Sequence, residues 1–280
     1  MSSFEKDVLD FTPPPLSSVN AAVKLTEAYF DPIFFGLDNI SPEKPALLVG
    51  NHTIYGTLDV PLIFAEAYRE RGVVIRGLAD AAHYKIPGWR DLLHRSGIVV
   101  GNRHNCSRLM EAGETLLVYP GGAREVAKRR GEKYQLTWKT RTGFAYMAIK
   151  HQYPITPIAS VGADDTFDIH FDAYDFKESH IGQWLLKNKR FNKIMRNGDV
   201  LMPICTGIGL SSIPRPERFY FSFGSPIDTT PFKGQEDDLE VQWHVRKLIG
   251  DALEKEIEML QRFRESDSER STLRRLLTRY

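Results

Sequence analysis

Long apolar runs, paired cysteines and a net charge are what this 280-residue sequence lacks. No window approaches the roughly 18 uncharged apolar residues of a membrane-spanning helix, so any dealing with lipid is expected from the surface. The first residues, MSSFEKDVLDFTPPP, carry acids where a secretory leader needs a basic and then an apolar run, so no signal peptide is expected. Cysteine occurs only at Cys106 and Cys205, far apart and without metal-ligand spacing. That argues against a disulfide scaffold and against a metal site, and it fits a reducing, cytoplasmic setting. Lys+Arg total 37 against 36 Asp+Glu, a formal net charge of +1, so no global field marks a nucleic-acid binder and any electrostatic partner must act locally. Internal repeats and low-complexity tracts are absent as well.

What is present is an alternation. ALLVG (46–50), GVVIRGL (72–78), GIVVG (97–101), TLLVYP (115–120) and PITPIASVG (154–162) are short Val/Ile/Leu runs without polar alternation, the pattern of strands buried on both faces. Between them DVPLIFAEAYRERG, PGWRDLLHRSG, NCSRLMEAG and TGFAYMAIKH have helical spacing, with Gly72, Gly97 and Gly113 at C-cap positions. The fold class is therefore α/β, a mostly parallel central sheet with helices on both faces. A helical segment occupies residues 1–40, with one helix from about Ser18 to Gly36 interrupted near Pro32. The α/β domain covers 41–232, with RPERFYFSFGSPI (215–227) as a later strand, and a charged helical extension covers 233–280, ending in the arginine-rich RSTLRRLLTRY. Two stretches have a second reading. The aromatic run FDPIFFGL either packs on the core or lies in a membrane interface. WLLKNKRFNKIMRNG (184–198) is a basic amphipathic helix, either packed on the core or facing anionic headgroups.

In parallel sheets ligands gather at the C-terminal strand ends, where VGNHTIYGTLDVPLIF and LLVYPGGAREV both place polar chemistry. His52 directly follows a buried strand, and its unperturbed pKa suits a general base. Asp59 is either the carboxylate that fixes the tautomer of that imidazole or a favourable charge in the first turn of a helix. Pro120-Gly121-Gly122 leaves so little side-chain bulk that backbone N–H groups can approach a substrate oxygen, as an oxyanion hole requires, although Pro-Gly-Gly is also ordinary turn punctuation. Arg124 and Glu125 follow at once.

The order GNHTIYGTLD, GIVVGNR, GETLLVYPGGARE, YPITPIASVG resembles the four blocks of the glycerolipid acyltransferase superfamily, of the lysophosphatidate acyltransferase type, over roughly residues 45–162. That superfamily has His-x4-Asp where this chain has six residues between His52 and Asp59, with Thr57 in the aspartate position. It has Phe-Pro-Glu-Gly-Thr-Arg where this chain has Tyr-Pro-Gly-Gly-Ala-Arg-Glu, so Gly121 replaces a glutamate and a new acid appears at Glu125. The Pro-Gly-Gly form is similar to the diacylglycerol acyltransferase 2-like branch, with its transmembrane-protein-68-like and phytyl-ester-synthase-like members. The resemblance implies a peripheral O-acyltransferase without a resident cofactor, using acyl-CoA or an acyl-carrier protein as co-substrate. The acceptor it implies is lysophosphatidate, diacylglycerol or a long-chain alcohol. His52 would be the base, with Asp59 or Glu125 as its partner. Gly121, Gly122, Arg124 and Glu125 would meet the oxyanion and acceptor, and Arg103 and Arg124 the donor phosphates, with Lys128, Arg129 and Arg130 as further cations. Two rivals share these residues: an ester hydrolase, and a lipid-binding protein that keeps the fold without catalysis.

Overall fold

The computed structural model describes residues 7–268 and 272–278. In chain order the elements are α1 (Leu16–Phe30), β1 (Ile33–Phe35), β2 (Leu47–Gly50), α2 (Val60–Arg71), β3 (Ile75–Ala79), α3 (Trp89–Arg95), β4 (Val99–Val100), α4 (Arg103–Glu111), β5 (Thr115–Val118) and α5 (Gly122–Val126). Then come α6 (Gly143–His151), β6 (Ile155–Val161), β7 (Asp168–Phe171), α7 (Ala173–Glu178), α8 (His180–Lys187), α9 (Lys189–Ile194), β8 (Ile204–Thr206), β9 (Tyr220–Phe223), α10 (Leu239–Ser266) and α11 (Thr272–Leu277). Seven strands form one sheet in the order β1-β9-β6-β2-β5-β3-β4, and β7 and β8 pair separately as a small antiparallel ribbon. Every neighbouring pair in the large sheet is parallel except β6 with β9.

The sheet is covered on both faces because its central strands have no polar side. All four residues of β2 are buried. Leu47 and Val49 point into a core with α6 and α10, whereas Leu48 points into a second core with α1 and α2. The stripe Val245, Ile249, Leu253, Ile257 and Leu260 recurs every three or four residues along α10, which lays it into the first core. The residues from 239 to 266 are thus part of the sheet's own packing, and the boundary at 232/233 separates compositions but not cores. Of the arginine-rich end, residues 270–271 and 279–280 lie outside the described residues.

Two elements differ from expectation. The first helix ends at Phe30, earlier than Gly36, because Pro32 disfavours helical geometry in the residue before it; Asp31 turns left-handed at φ 47° instead. The aromatic run that follows is strand β1, with Phe34 stacked on Phe221 at 4.7 Å, so it belongs to the core. The single helix expected over 184–198 is two short helices. Asn188 breaks them by accepting hydrogen bonds from the backbone N–H groups of Arg190 and Phe191, an N-cap in the middle of the apolar pattern.

Candidate active site

Strand register explains why two distant loops meet. β2 and β5 are parallel neighbours with Val49 opposite Val118, so the residues leaving them, Asn51-His52 and Tyr119-Pro120, emerge side by side. The side chain of Asn51 then bridges to β6, donating to the Ser160 carbonyl at 2.9 Å and accepting from the Ser160 amide at 2.9 Å. His52 therefore leaves a strand end that is pinned from both sides.

The imidazole of His52 lies flat against the ring of Tyr119, with centroids 4.1 Å apart and planes 13° from parallel. The chain then returns against the same ring, nearest to Cε1. Tyr55 and Gly56 both adopt left-handed backbone, at φ 59° and 61°, and a Cβ on Gly56 would stand 2.3 Å from His52 Cε1. Only glycine leaves that space open. Nδ1 of His52 is buried without a hydrogen-bond partner, so Nε2 is the nitrogen able to meet a substrate. Burial first, then the nearby Lys128 ammonium and the His83 side chain, push the imidazole down to about 3, which keeps it neutral and basic in form at physiological pH.

Asp59 is fully buried at the N-cap of α2, where one carboxylate oxygen accepts from the Val60 amide at 3.0 Å. The other oxygen has no hydrogen-bond partner, and no hydrogen bond joins it to His52. Burial raises the pKa of Asp59, against the pull of the Ser160 and Thr53 hydroxyls beside it. The fold-back of the loop therefore brings Gly56 against the imidazole, while the carboxylate of Asp59 is held at the start of α2 and makes no hydrogen bond to the ring.

Glu125 takes the space vacated by the third block's missing side chain. A Cβ on Gly121 would meet Glu125 Oε2 at 1.9 Å, so the carboxylate of Glu125 folds back to where a side chain at position 121 would begin. Burial raises Glu125 to about 8, against Lys128 and the backbone amides of His52 and Thr137 that face it. The Tyr119 hydroxyl is likewise buried and unpartnered, its pKa raised by burial and by the charges of Asp59 and Glu125. His52 and Tyr119 thus reach the cavity surface, while Asp59 and Glu125 are buried behind it, close enough for their charges to act on Tyr119.

The remaining expected residues separate. The Gly122 amide donates to the Tyr119 carbonyl at 2.9 Å and is committed to that turn. The arginine of the third block turns inward: Arg124 is buried, ion-paired with Glu132 and near Asp199. Lys128 pairs with Asp164 at 3.3 Å, Arg129 with Asp199 at 3.5 Å, and Arg130 with Asp175 at 2.5 Å. None of these four is free for a phosphate. Arg103 is different, for it is exposed at the start of α4, lies 4.4 Å over the Tyr146 ring, and has no ion pair among the described residues.

Two cavities meet at Tyr119. The first, of about 310 Å³, contains His52 and is walled mainly by apolar side chains such as Phe64, Leu93, Ile98, Val126 and Met202. The second, of about 390 Å³, shares Tyr119, Gly122 and Ala123 with the first but carries Arg103, Arg141 and Arg196. Three residues here escaped the sequence reading. Tyr119 lies within the third block but has a hydroxyl where the superfamily has phenylalanine. Arg141, whose guanidinium donates to the carbonyls of Pro120 and Gly121 at 2.6 and 2.5 Å, had no local signal. Asp164 accepts from the Ile54 amide at 2.8 Å and so fixes the loop after His52; its signal was a pair of acids abutting a fully buried strand. No group of three or more potential metal ligands occurs among the described residues.

Comparison with known proteins follows the same geometry. Residues 32–161 match the model of the family described as Acyltransferase. The chain is 32% identical over 255 residues to phytyl ester synthase 2, chloroplastic, of Arabidopsis thaliana, covering 86% of this chain and 36% of that protein. It is 33% identical over 123 residues to the human DGAT1/2-independent enzyme synthesizing storage lipids, covering 44% of this chain and 37% of that one. The chain thus spans little more than a third of these relatives. Its fold is that of the crystal structure of the 1-acyl-sn-glycerophosphate (LPA) acyltransferase PlsC from Thermotoga maritima, with a TM-score of 0.52, 17% identity, and coverage of 86% of this chain and 78% of that chain.

Proposed function

We propose, from the premise that residues 32–161 are an Acyltransferase-family segment, that this protein transfers a fatty acyl group from acyl-CoA to the hydroxyl of an uncharged lipid alcohol. The observation that carries the reading is a neutral, clasped imidazole on an apolar cavity, next to a second cavity that bears arginines. The apolar cavity suits an acyl chain. Arg103, with Arg141 beside it, suits the phosphates of the donor.

In the reaction, Nε2 of His52 takes the proton of the acceptor hydroxyl as that oxygen attacks the thioester carbonyl. The C–S bond then breaks, and the thiolate leaves with the proton from the imidazolium. A positioned base of this kind contributes about 10²–10⁴-fold. Substrate binding would close the open contact between Nδ1–H and Asp59, since catalytic hydrogen bonds often tighten only in the loaded site. With the Gly122 amide committed, the Ala123 amide in the first turn of α5 is the donor available to the oxyanion, because first-turn N–H groups have no partner within a helix.

The acceptor assignment rests on charge. Arg124, Lys128, Arg129 and Arg130, the cations in and just after the third block, are all paired with acids and so are not left for a phosphate monoester. The relative named for phytyl esters supports the same class, an ester of an uncharged long-chain alcohol. No helix among the described residues is long and apolar enough to cross a membrane, and we propose that the enzyme works peripherally, on the cytoplasmic face of a membrane.

The test is a product screen by mass spectrometry with acyl-CoA and lysophosphatidate, diacylglycerol or a fatty alcohol in parallel. Ester is expected with the uncharged acceptors and should vanish in His52→Ala. Free fatty acid without acceptor would make the protein a hydrolase, and no product with any acceptor would make it a lipid-binding protein.

A further inference from the structure

The segment from His180 to Gly198 contains no acidic residue and five cations, Lys187, Lys189, Arg190, Lys193 and Arg196. Arg196 pairs with Asp80 at 2.8 Å, but the other four are exposed and have no ion pair among the described residues. Beside them stand the most exposed large apolar side chains of the segment, Ile181 and Trp184 at 70% and Ile194 at 72%. Leu185, Leu186 and Phe191 face the other way and are partly buried, Phe191 against Phe176 of α7. The break at Asn188 therefore leaves the two helices with an outward face that is apolar and cationic at once. The chain leaving this face reaches the candidate site directly, because Val200 and Met202 wall the apolar cavity that holds His52.

We propose that α8 and α9 form the surface by which this protein docks on a lipid bilayer carrying anionic headgroups. Water penalises the exposed tryptophan and isoleucines, while the headgroup region accepts them and the cations flanking them. A second copy of the chain is a poor occupant, since two faces of the same positive charge repel. An aqueous polyanion answers the charge but not the protruding Trp184. Docked this way, the protein holds the wall of its acyl cavity against the leaflet that supplies the lipid. The docking itself does not depend on the reaction proposed above, and it is measured without turnover.

The experiment is co-sedimentation of the full chain with phosphatidylcholine vesicles, with and without about a third of phosphatidylserine. Two variants accompany it: the fourfold neutralisation of Lys187, Lys189, Arg190 and Lys193 to glutamine, and Ile181→Ser with Trp184→Ser. All six side chains are exposed, and melting curves confirm that both variants fold. Binding is expected on the serine-containing vesicles only, weakening roughly fivefold for each cation removed and falling with salt. It should also fall in the apolar double variant. Equal binding to both vesicle types, binding indifferent to either variant, or self-association in place of vesicle binding would each overturn the proposal.

Discussion

Replacing Gly56 with alanine tests whether the clasped imidazole is what the site depends on. The substitution does two things. It places a side chain on left-handed backbone, at φ 61°, and it drives a methyl group to 2.3 Å from His52 Cε1, far inside contact distance. Gly72 separates the two effects, for it has φ 66° and no atom within 4 Å of where its Cβ would stand. Gly72→Ala should therefore show the backbone cost alone, about 1–2 kcal/mol, read as a drop in melting temperature of about 2–8 °C. Gly56→Ala should lose that much or somewhat more stability. In addition, the ring must tilt or slide along Tyr119 by the order of an ångström, and a displacement of that size costs on the order of 10²-fold in rate. The assay is kcat for ester formation at saturating acyl-CoA, beside thermal melting of both variants. Near-normal turnover in Gly56→Ala, with melting like that of Gly72→Ala, would refute the idea that this ring position carries the chemistry.

Further outcomes follow from the site and its charges. Glu125 is held protonated up to about pH 8 in the fold but ionises near 4.5 when unfolded, so the folded state binds the extra proton between those values and stability falls as pH rises through that window. Glu125→Gln should thus gain on the native protein by on the order of a few kcal/mol at pH 8, with the two converging near pH 4.5; a pH-independent gap in melting temperature would contradict this. Arg124→Ala breaks a buried ion pair and should cost about 3–5 kcal/mol, whereas Arg103→Ala should raise KM for acyl-CoA with melting unchanged; denaturant titration and steady-state kinetics distinguish them. Tyr119→Phe keeps the stack on His52 and removes a buried hydroxyl without a partner, so a stability gain of about 1 kcal/mol is expected, and a loss would mean that the hydroxyl is hydrogen-bonded in solution.

Much of the fold and the position of the candidate site were legible because they rest on local patterns. A run such as ALLVG can be buried on both faces only inside a parallel sheet, and the residue after such a run must emerge at the strand's end, where His52 does. Pro-Gly-Gly announced a close backbone approach, although the reason for the first glycine proved to be the carboxylate of Glu125 lying against it. The break within 184–198 was harder to read, since the capping bonds of Asn188 compete with an apolar pattern that runs through them.

By itself the sequence determined the α/β class and the strand ends where candidate chemistry gathers, because hydrophobic period and chain order fix these, and the resemblance of its four blocks singled out His52 as the base candidate. Only the tertiary structure decided which charges are free. Arg124 and Arg103 look alike in sequence, yet Glu132 and Asp199 consume the first while the second stands open to solvent. The availability of a charge depends on partners that are distant along the chain and brought close only by the packed fold. The same holds for the imidazole of His52: its neighbours Tyr119 and Gly56 come from a parallel strand register and a left-handed turn, and no residue spacing announces either.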